Sequence, residues 1–145
     1  MTQNQKTIFV VDDDQDLVEL MTYNLEKEGY KIKKAFSGLQ SIWKLELEER
    51  PDCILLDLMM PSPNGFEICD YLKSSEDYRD IPLVIVSACN SAEDIEKALN
   101  LGADAYLPKP FAIEQLKSLV GTLAYKRRGE AREMENRDYN SSLNI

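Results

Sequence analysis

Four sets of residues in this chain have the types and spacing to do chemistry together: Asp12-Asp13-Asp14, Asp57, Ser87 and Lys109. Each stands at the end of a short apolar run: TIFVV before Asp12, CILL before Asp57, LVIV before Ser87, and AYL shortly before Lys109. Runs of that length bounded by turn residues read as strands, so all four sets fall at strand carboxyl ends. In an open α/β sheet, that is the edge where ligands bind, at the point where strand order reverses. Carboxylates meeting in one crevice repel and raise one another's pKa unless a cation sits among them. A hard, oxygen-ligated ion, Mg²⁺ first, is the natural partner for such a group. Plainer readings stay open for each residue alone. Asp12 to Asp14 could be a helix cap and first turn, Asp57 a solvated strand end, Ser87 a loop hydroxyl, and Lys109-Pro110 an ordinary turn.

The elements that must carry these residues alternate five times. After the first strand, Thr7 to Asp12, a helix is expected through about Glu28, with Leu17, Leu20, Met21 and Leu25 at helical spacing and Gly29 as its stop. Lys31 to Phe36 is a weaker strand whose lysines suit a sheet edge. Leu39 to Glu49 is a second helix, ended at Arg50-Pro51. Cys53 to Asp57 and Leu83 to Ser87 have the unbroken apolar character of central parallel strands. Gly65 to about Ser74 is a third helix. Ser91 caps a fourth with acids Glu93 and Asp94 in its first turn, and Gly102 stops it. Ala105 to Leu107 is the fifth strand and Ile113 to Ala124 the fifth helix, with Leu116, Leu119, Val120 and Leu123 on one face. This (βα)5 pattern predicts an α/β, doubly wound, five-stranded parallel sheet.

Composition removes several classes of function. The chain has 145 residues, 17 Lys+Arg against 26 Asp+Glu and a formal net charge of −9, which disfavours attraction to nucleic acid or anionic lipid. It has no histidine, which excludes Ser-His-Asp and Cys-His catalysis, His-ligated zinc and a phosphohistidine carrier role. Cys53, Cys69 and Cys89 are odd in number and at no metal-ligand spacing, so free thiols in a reducing compartment are expected. No apolar run approaches the ~20 residues of a membrane span, and Met1 to Lys6 is polar, so a cytoplasmic protein is expected. Residues 1–125 read as one domain with a charge of −10, and residues 126–145 as a polar tail with five basic and four acidic residues. The tail is either a helix extension to Arg137 or a solvated linker. Trp43 is expected to be partial core, Cys53 a buried inert thiol, and Cys89 a group close to the site.

Taken together, VVDDD at Val10 to Asp14, LLDLMMPSPNG at Leu55 to Gly65, VIVSA at Val84 to Ala88 and DAYLPKPF at Asp104 to Phe111 resemble the receiver domain of two-component response regulators, including the stand-alone chemotaxis type. The matching motifs span residues 7 to about 124. The resemblance implies a flavodoxin-like fold with strand order 2-1-3-4-5 and a phosphorylation-controlled switch. Asp57 would be the phosphoacceptor. Asp12, Asp13, Asp57 and the backbone carbonyl of Met59 would hold Mg²⁺. Lys109 would pair with a phosphoryl oxygen, its bond to Pro110 would be cis, and Ser87 with Tyr106 would relay the change to the fourth helix, fifth strand and fifth helix. Partners would be a sensor histidine kinase or histidine phosphotransfer protein and a downstream protein effector, with a phosphorylation-dependent homodimer as a further form. Neither nucleic acid nor membrane is expected as a partner of this chain itself. Two departures are Asn64 where Asp is commoner and Ser87 where Thr is commoner.

Two competing functions follow from the same residues. A Mg²⁺-dependent phosphohydrolase would also use an aspartyl phosphate, but needs a general acid two residues after its nucleophile, where this chain has Met59. A receiver fragment of a longer DNA-binding regulator is the other, although no helix-turn-helix pattern follows residue 125.

Overall fold

The computed structural model describes residues 5–126. The readings of the tail beyond Lys126 lie outside the described residues. Five strands and five helices alternate: β1 Thr7–Val11, α1 Gln15–Lys27, β2 Lys31–Ala35, α2 Gly38–Leu47, β3 Cys53–Leu56, α3 Gly65–Ser74, β4 Leu83–Ser87, α4 Ala92–Asn100, β5 Ala105–Pro108 and α5 Ile113–Leu123. All pairings are parallel and the order is β2-β1-β3-β4-β5. The order reverses between β1 and β3, which opens a crevice above their carboxyl ends.

Strand side chains alternate faces, and both faces are covered. Ile8, Val10, Cys53, Leu55, Val84 and Val86 meet Val18, Met21 and Leu25 of α1 and Leu116, Val120 and Leu123 of α5. Phe9, Val11, Ile54, Leu56, Leu83 and Ile85 meet Leu45 of α2, Ile68 and Leu72 of α3 and Ala98 of α4. The β1 and β3 strands are therefore fully buried, as their apolar runs require. The edge strand β2 keeps Lys31 exposed and ties Lys34 to Glu19 of α1 at 2.9 Å.

The first four helices start at side-chain caps, whereas α5 starts at Ala112, which has none. Asp14 accepts from the Leu17 N–H, Ser37 from Gln40, Asn64 from Glu67 and Ser91 from Asp94. Gly29 and Gly102, both at positive φ (97° and 113°), follow α1 and α4, a conformation that glycine adopts without a Cβ penalty. Two side chains depart from expectation. Leu20 is half exposed, because the buried arc of α1 runs through Val18, Met21, Thr22 and Leu25. Trp43 is not partial core but 59% exposed, because α2 turns Gly38, Ser41 and Leu45 inward and leaves position 43 on the far side.

Candidate functional site

The backbone places the chemical residues before their side chains do. The Asp12 N–H donates to the Ala35 carbonyl (3.1 Å), that of Asp57 to Val11 (3.0 Å) and that of Lys109 to Ser87 (2.9 Å). Each residue is thus one rung of the ladder beyond a strand, rigidly held on the crevice side. Asp12 and Asp57 are buried, at 1% and 4% exposure, while Asp13 is exposed. One carboxylate oxygen from each of Asp12, Asp13 and Asp57 lies within 4.8 Å of the others. Asp14 does not join them, since its carboxylate caps α1.

Lys109 reaches into this group from the β5 side. Its Nζ donates to Asp12 Oδ2 at 2.8 Å and lies 3.7 Å from Asp57 Oδ1. The Asp14 N–H donates to Asp12 Oδ1 at 2.9 Å. Burial raises the Asp12 carboxyl above the usual range, the Lys109 ammonium and the Asp14 amide oppose that rise, and the Asp57 charge adds to it. Asp57 Oδ1 is buried with no hydrogen-bond partner. Three carboxylates against one ammonium leave two negative charges uncompensated, beside a buried oxygen that makes no hydrogen bond. An all-oxygen donor set in that state suits a hard divalent cation such as Mg²⁺.

On the β4 side Ser87 is fully buried, and its Oγ accepts from the Cys89 N–H at 3.2 Å. The Tyr106 ring on β5 is half-buried with its hydroxyl already inside the protein, near Ser87 but without a well-formed hydrogen bond. Burial raises the Tyr106 hydroxyl pKa, the Cys89 thiol adds to the rise, and Ser87 opposes it. The Lys109-Pro110 bond is cis, and so is Ser62-Pro63 in the loop after β3. Met59, two residues after Asp57, is 63% exposed.

Sequence reasoning missed what shapes that loop. A Cβ on Gly65 would collide with the Asp57 carbonyl oxygen and the Leu58 Cα, and the Gly65 N–H donates to the Leu58 carbonyl at 3.2 Å. Only glycine lets α3 start so close behind the nucleophile candidate. Gly38 is pressed likewise against the Pro63 carbonyl, so α2 also braces the loop. The Asn64-Gly65 pair, a turn signature, is the legible signal of this in the sequence. Asn64 also closes a capping box with Glu67, whose carboxylate accepts from the Asn64 N–H (3.0 Å) and the Ser62 hydroxyl (3.1 Å).

Known proteins carry similar sequences over most of this chain. The chain is 36% identical over 116 residues to the DNA-binding dual master transcriptional regulator RpaA of Synechocystis sp., covering 80% of this chain and 48% of that protein. It is 40% identical over 116 residues to the response regulator MprA of Mycobacterium sp. (strain KMS), covering 80% and 49%. The chain thus spans about half the length of the curated relatives it matches. Among solved structures, a CheY-like response regulator receiver domain protein from Methanospirillum hungatei superposes with a TM-score of 0.77 at 26% identity, over 92% of this chain and 99% of that one. The family model described as response regulator receiver domain matches residues 8–121, every element from β1 to α5, and the chain belongs to that family, the receivers of two-component signalling systems.

Proposed function

We propose that Asp57 is the phosphoryl acceptor of this receiver. The observation that carries it is the buried Asp57 Oδ1, which makes no hydrogen bond, set beside Asp12, Asp13 and Lys109 at the sheet's switch point. Asp57 attacks the phosphorus of a phosphohistidine on a sensor histidine kinase or a histidine phosphotransfer protein. An O–P bond forms, the N–P bond breaks, and the imidazole leaves with the electron pair. Asp12, Asp13, Asp57 and the Met59 carbonyl would hold Mg²⁺, which supplies charge neutralisation for the phosphoryl oxygens. Lys109 moves from Asp12 to a phosphoryl oxygen, a shift its long stem allows. Ser87 donates its hydroxyl proton to another phosphoryl oxygen. That draws the β4 end toward the site and repositions Tyr106, so the face of α4, β5 and α5 becomes the output surface for a downstream protein effector or a phosphorylation-dependent homodimer.

Slow self-hydrolysis of the acyl phosphate is the only further reaction assigned to it, so it acts as a signalling module in the cytoplasm. A phosphohydrolase is not favoured, because the position that would need a general acid holds Met59, which has no proton to transfer. A DNA-binding output in an intact regulator is the second reading, favoured by the half-length coverage of relatives such as RpaA. No nucleic-acid contact is assigned to this chain itself, whose formal charge is −9. The site reading is tested by incubation with acetyl phosphate and Mg²⁺. One phosphoryl mass should be added, and Asp57→Asn should abolish it; modification that survives the substitution would overturn the assignment.

A further inference from the structure

Helix α2 carries a large apolar ridge that nothing in the described residues covers. Its inward arc of Gly38, Ser41 and Leu45 is buried, and Ile42 packs partly against the core. Positions four apart on a helix lie one above the other, which sets Leu39, Trp43 and Leu47 in line on the outer side. They are 50%, 59% and 84% exposed. Isolated exposed apolar residues are ordinary, but three large ones in line make a continuous patch, and such patches mark interaction surfaces. Trp43 is also the only tryptophan of the chain, and tryptophan is the residue most enriched among binding anchors.

The charges around the ridge define what fits it. Glu46, Glu48 and Glu49 are exposed at the carboxyl half of α2 and just beyond it, and Glu67 and Asp70 are exposed on α3. The two helices are joined by a hydrogen bond from the Tyr71 hydroxyl to Glu46 at 3.1 Å, so Glu46, Glu67 and Asp70 share the α3 side of the ridge. On the β2 flank Lys33 lies 3.7 Å from Glu48 and donates to the Glu49 carbonyl at 2.6 Å, so the acids left facing outward are those of the α3 flank, where the other basic side chains of the region are held elsewhere. Lys44 donates to the Lys34 carbonyl, Arg50 lies over the Tyr78 ring, and Lys73 bonds Asp104 and the carbonyls of Arg79 and Ile81. The result is an apolar ridge with an acidic border and no exposed cation along α2.

We propose that this ridge docks a basic amphipathic helix of a partner protein, its apolar stripe laid against Leu39, Trp43 and Leu47 and its Lys or Arg residues facing Glu46, Glu67 and Asp70. Two helices whose i±4 ridges interdigitate cross at about −50°, and a ridge of this spacing is built for that packing. A second copy of this chain fits worse. A two-fold contact through α2 would set the same glutamates against each other in two proteins of formal charge −9. The proposal does not depend on Asp57 being the phosphoryl acceptor, since α2 contributes no residue to that site.

Trp43 makes the test direct, because its emission shifts to the blue when its ring leaves water. The full chain is titrated with a synthetic amphipathic peptide of about 15 residues, long enough for four turns, carrying Leu on one face and Lys on the other. A second peptide keeps the Leu face and replaces every Lys with Glu. The expected result is a saturable blue shift at micromolar concentration with the Lys peptide, none with the Glu peptide, and at least about tenfold weaker binding by the Leu39→Ser, Leu47→Ser double variant. All of these positions are exposed, so circular dichroism should be unchanged in the variant. Equal binding of both peptides, or binding unaffected by the double substitution, would overturn the proposal. So would emission that is already blue and shifts with protein concentration alone, together with a dimer mass in sedimentation, because the occupant would then be a second copy.

Discussion

At the scale of single residues, the proposed phosphorylation of Asp57 draws attention to Met59, two positions after it, and Cys89, two after Ser87, as the side chains expected to set the lifetime of that state. Hydrolysis needs a water in line with the phosphorus, held by hydrogen bonds while Lys109 keeps the oxygens. Met59 is exposed, and Cys89, whose N–H donates to Ser87 Oγ, is half-buried. A thioether and a thiol are poor hydrogen-bond partners for such a water. Their failure to position it should slow hydrolysis about tenfold to a hundredfold, or on the order of 1 to 3 kcal/mol. Replacing Met59 with Asn and Cys89 with Glu is therefore expected to shorten the phosphoryl lifetime, read from the decay of phosphorylated protein after the donor is removed. An unchanged or longer lifetime would show that access alone, and not water orientation, sets the rate.

At the scale of elements, two segments carry distinct expectations. The start of α3 combines the Asn64 cap, the Glu67 return bond and the close passage of Gly65 behind Asp57. Loss of the cap in Asn64→Ala should cost about 1 kcal/mol, seen as a lower urea midpoint with an unchanged slope. Asn64→Asp keeps an acceptor at the same place, so its midpoint should stay within a few tenths of a kcal/mol of the parent; a loss as large as that of Ala would show that the side chain caps nothing. The second segment is α4, β5 and α5. Ser87 at the end of β4 and Tyr106 on β5 link the proposed phosphoryl site to that face, and the Tyr106 hydroxyl is buried without a hydrogen bond, so a small movement of Ser87 can give it one. Amide exchange should accordingly change on phosphorylation mainly in Ala92–Asn100, Ala105–Pro108 and Ile113–Leu123. Uniform change across the domain would contradict the relay.

At the scale of the whole molecule, the sheet is sealed on both faces, and its buried groups report on that. Burial pushes the Cys53 thiol from 9.0 up to about 12. Because the folded value lies above the unfolded one, the protonated thiol contributes stability below about pH 9, and that contribution is lost as pH rises toward 12. Cys53→Ala should thus flatten the decline of denaturation midpoint across that window while lowering the neutral-pH midpoint through the small cavity it leaves. A decline as steep as the parent's would place its cause elsewhere. The same two-faced burial explains what the sequence by itself determined. Continuous apolar runs in β1, β3 and β4, caps such as Ser91 and stops such as Gly29 and Gly102 act locally, so five alternating elements and the positions of Asp12, Asp57 and Lys109 at strand ends were legible without coordinates. The family resemblance singled out Asp12 and Asp13, but only the tertiary structure supplies the physical reason, because Asp12 to Asp14 are equivalent by residue type until Asp14 turns to cap α1 and leaves Asp12 and Asp13 beside Asp57. The tertiary structure also decided that Gly65 and Gly38 are steric necessities and that Trp43 lies outside. Close approach and helix rotation depend on neighbours distant in sequence, and the spacing of residues along one helix does not say which arc a sheet will cover.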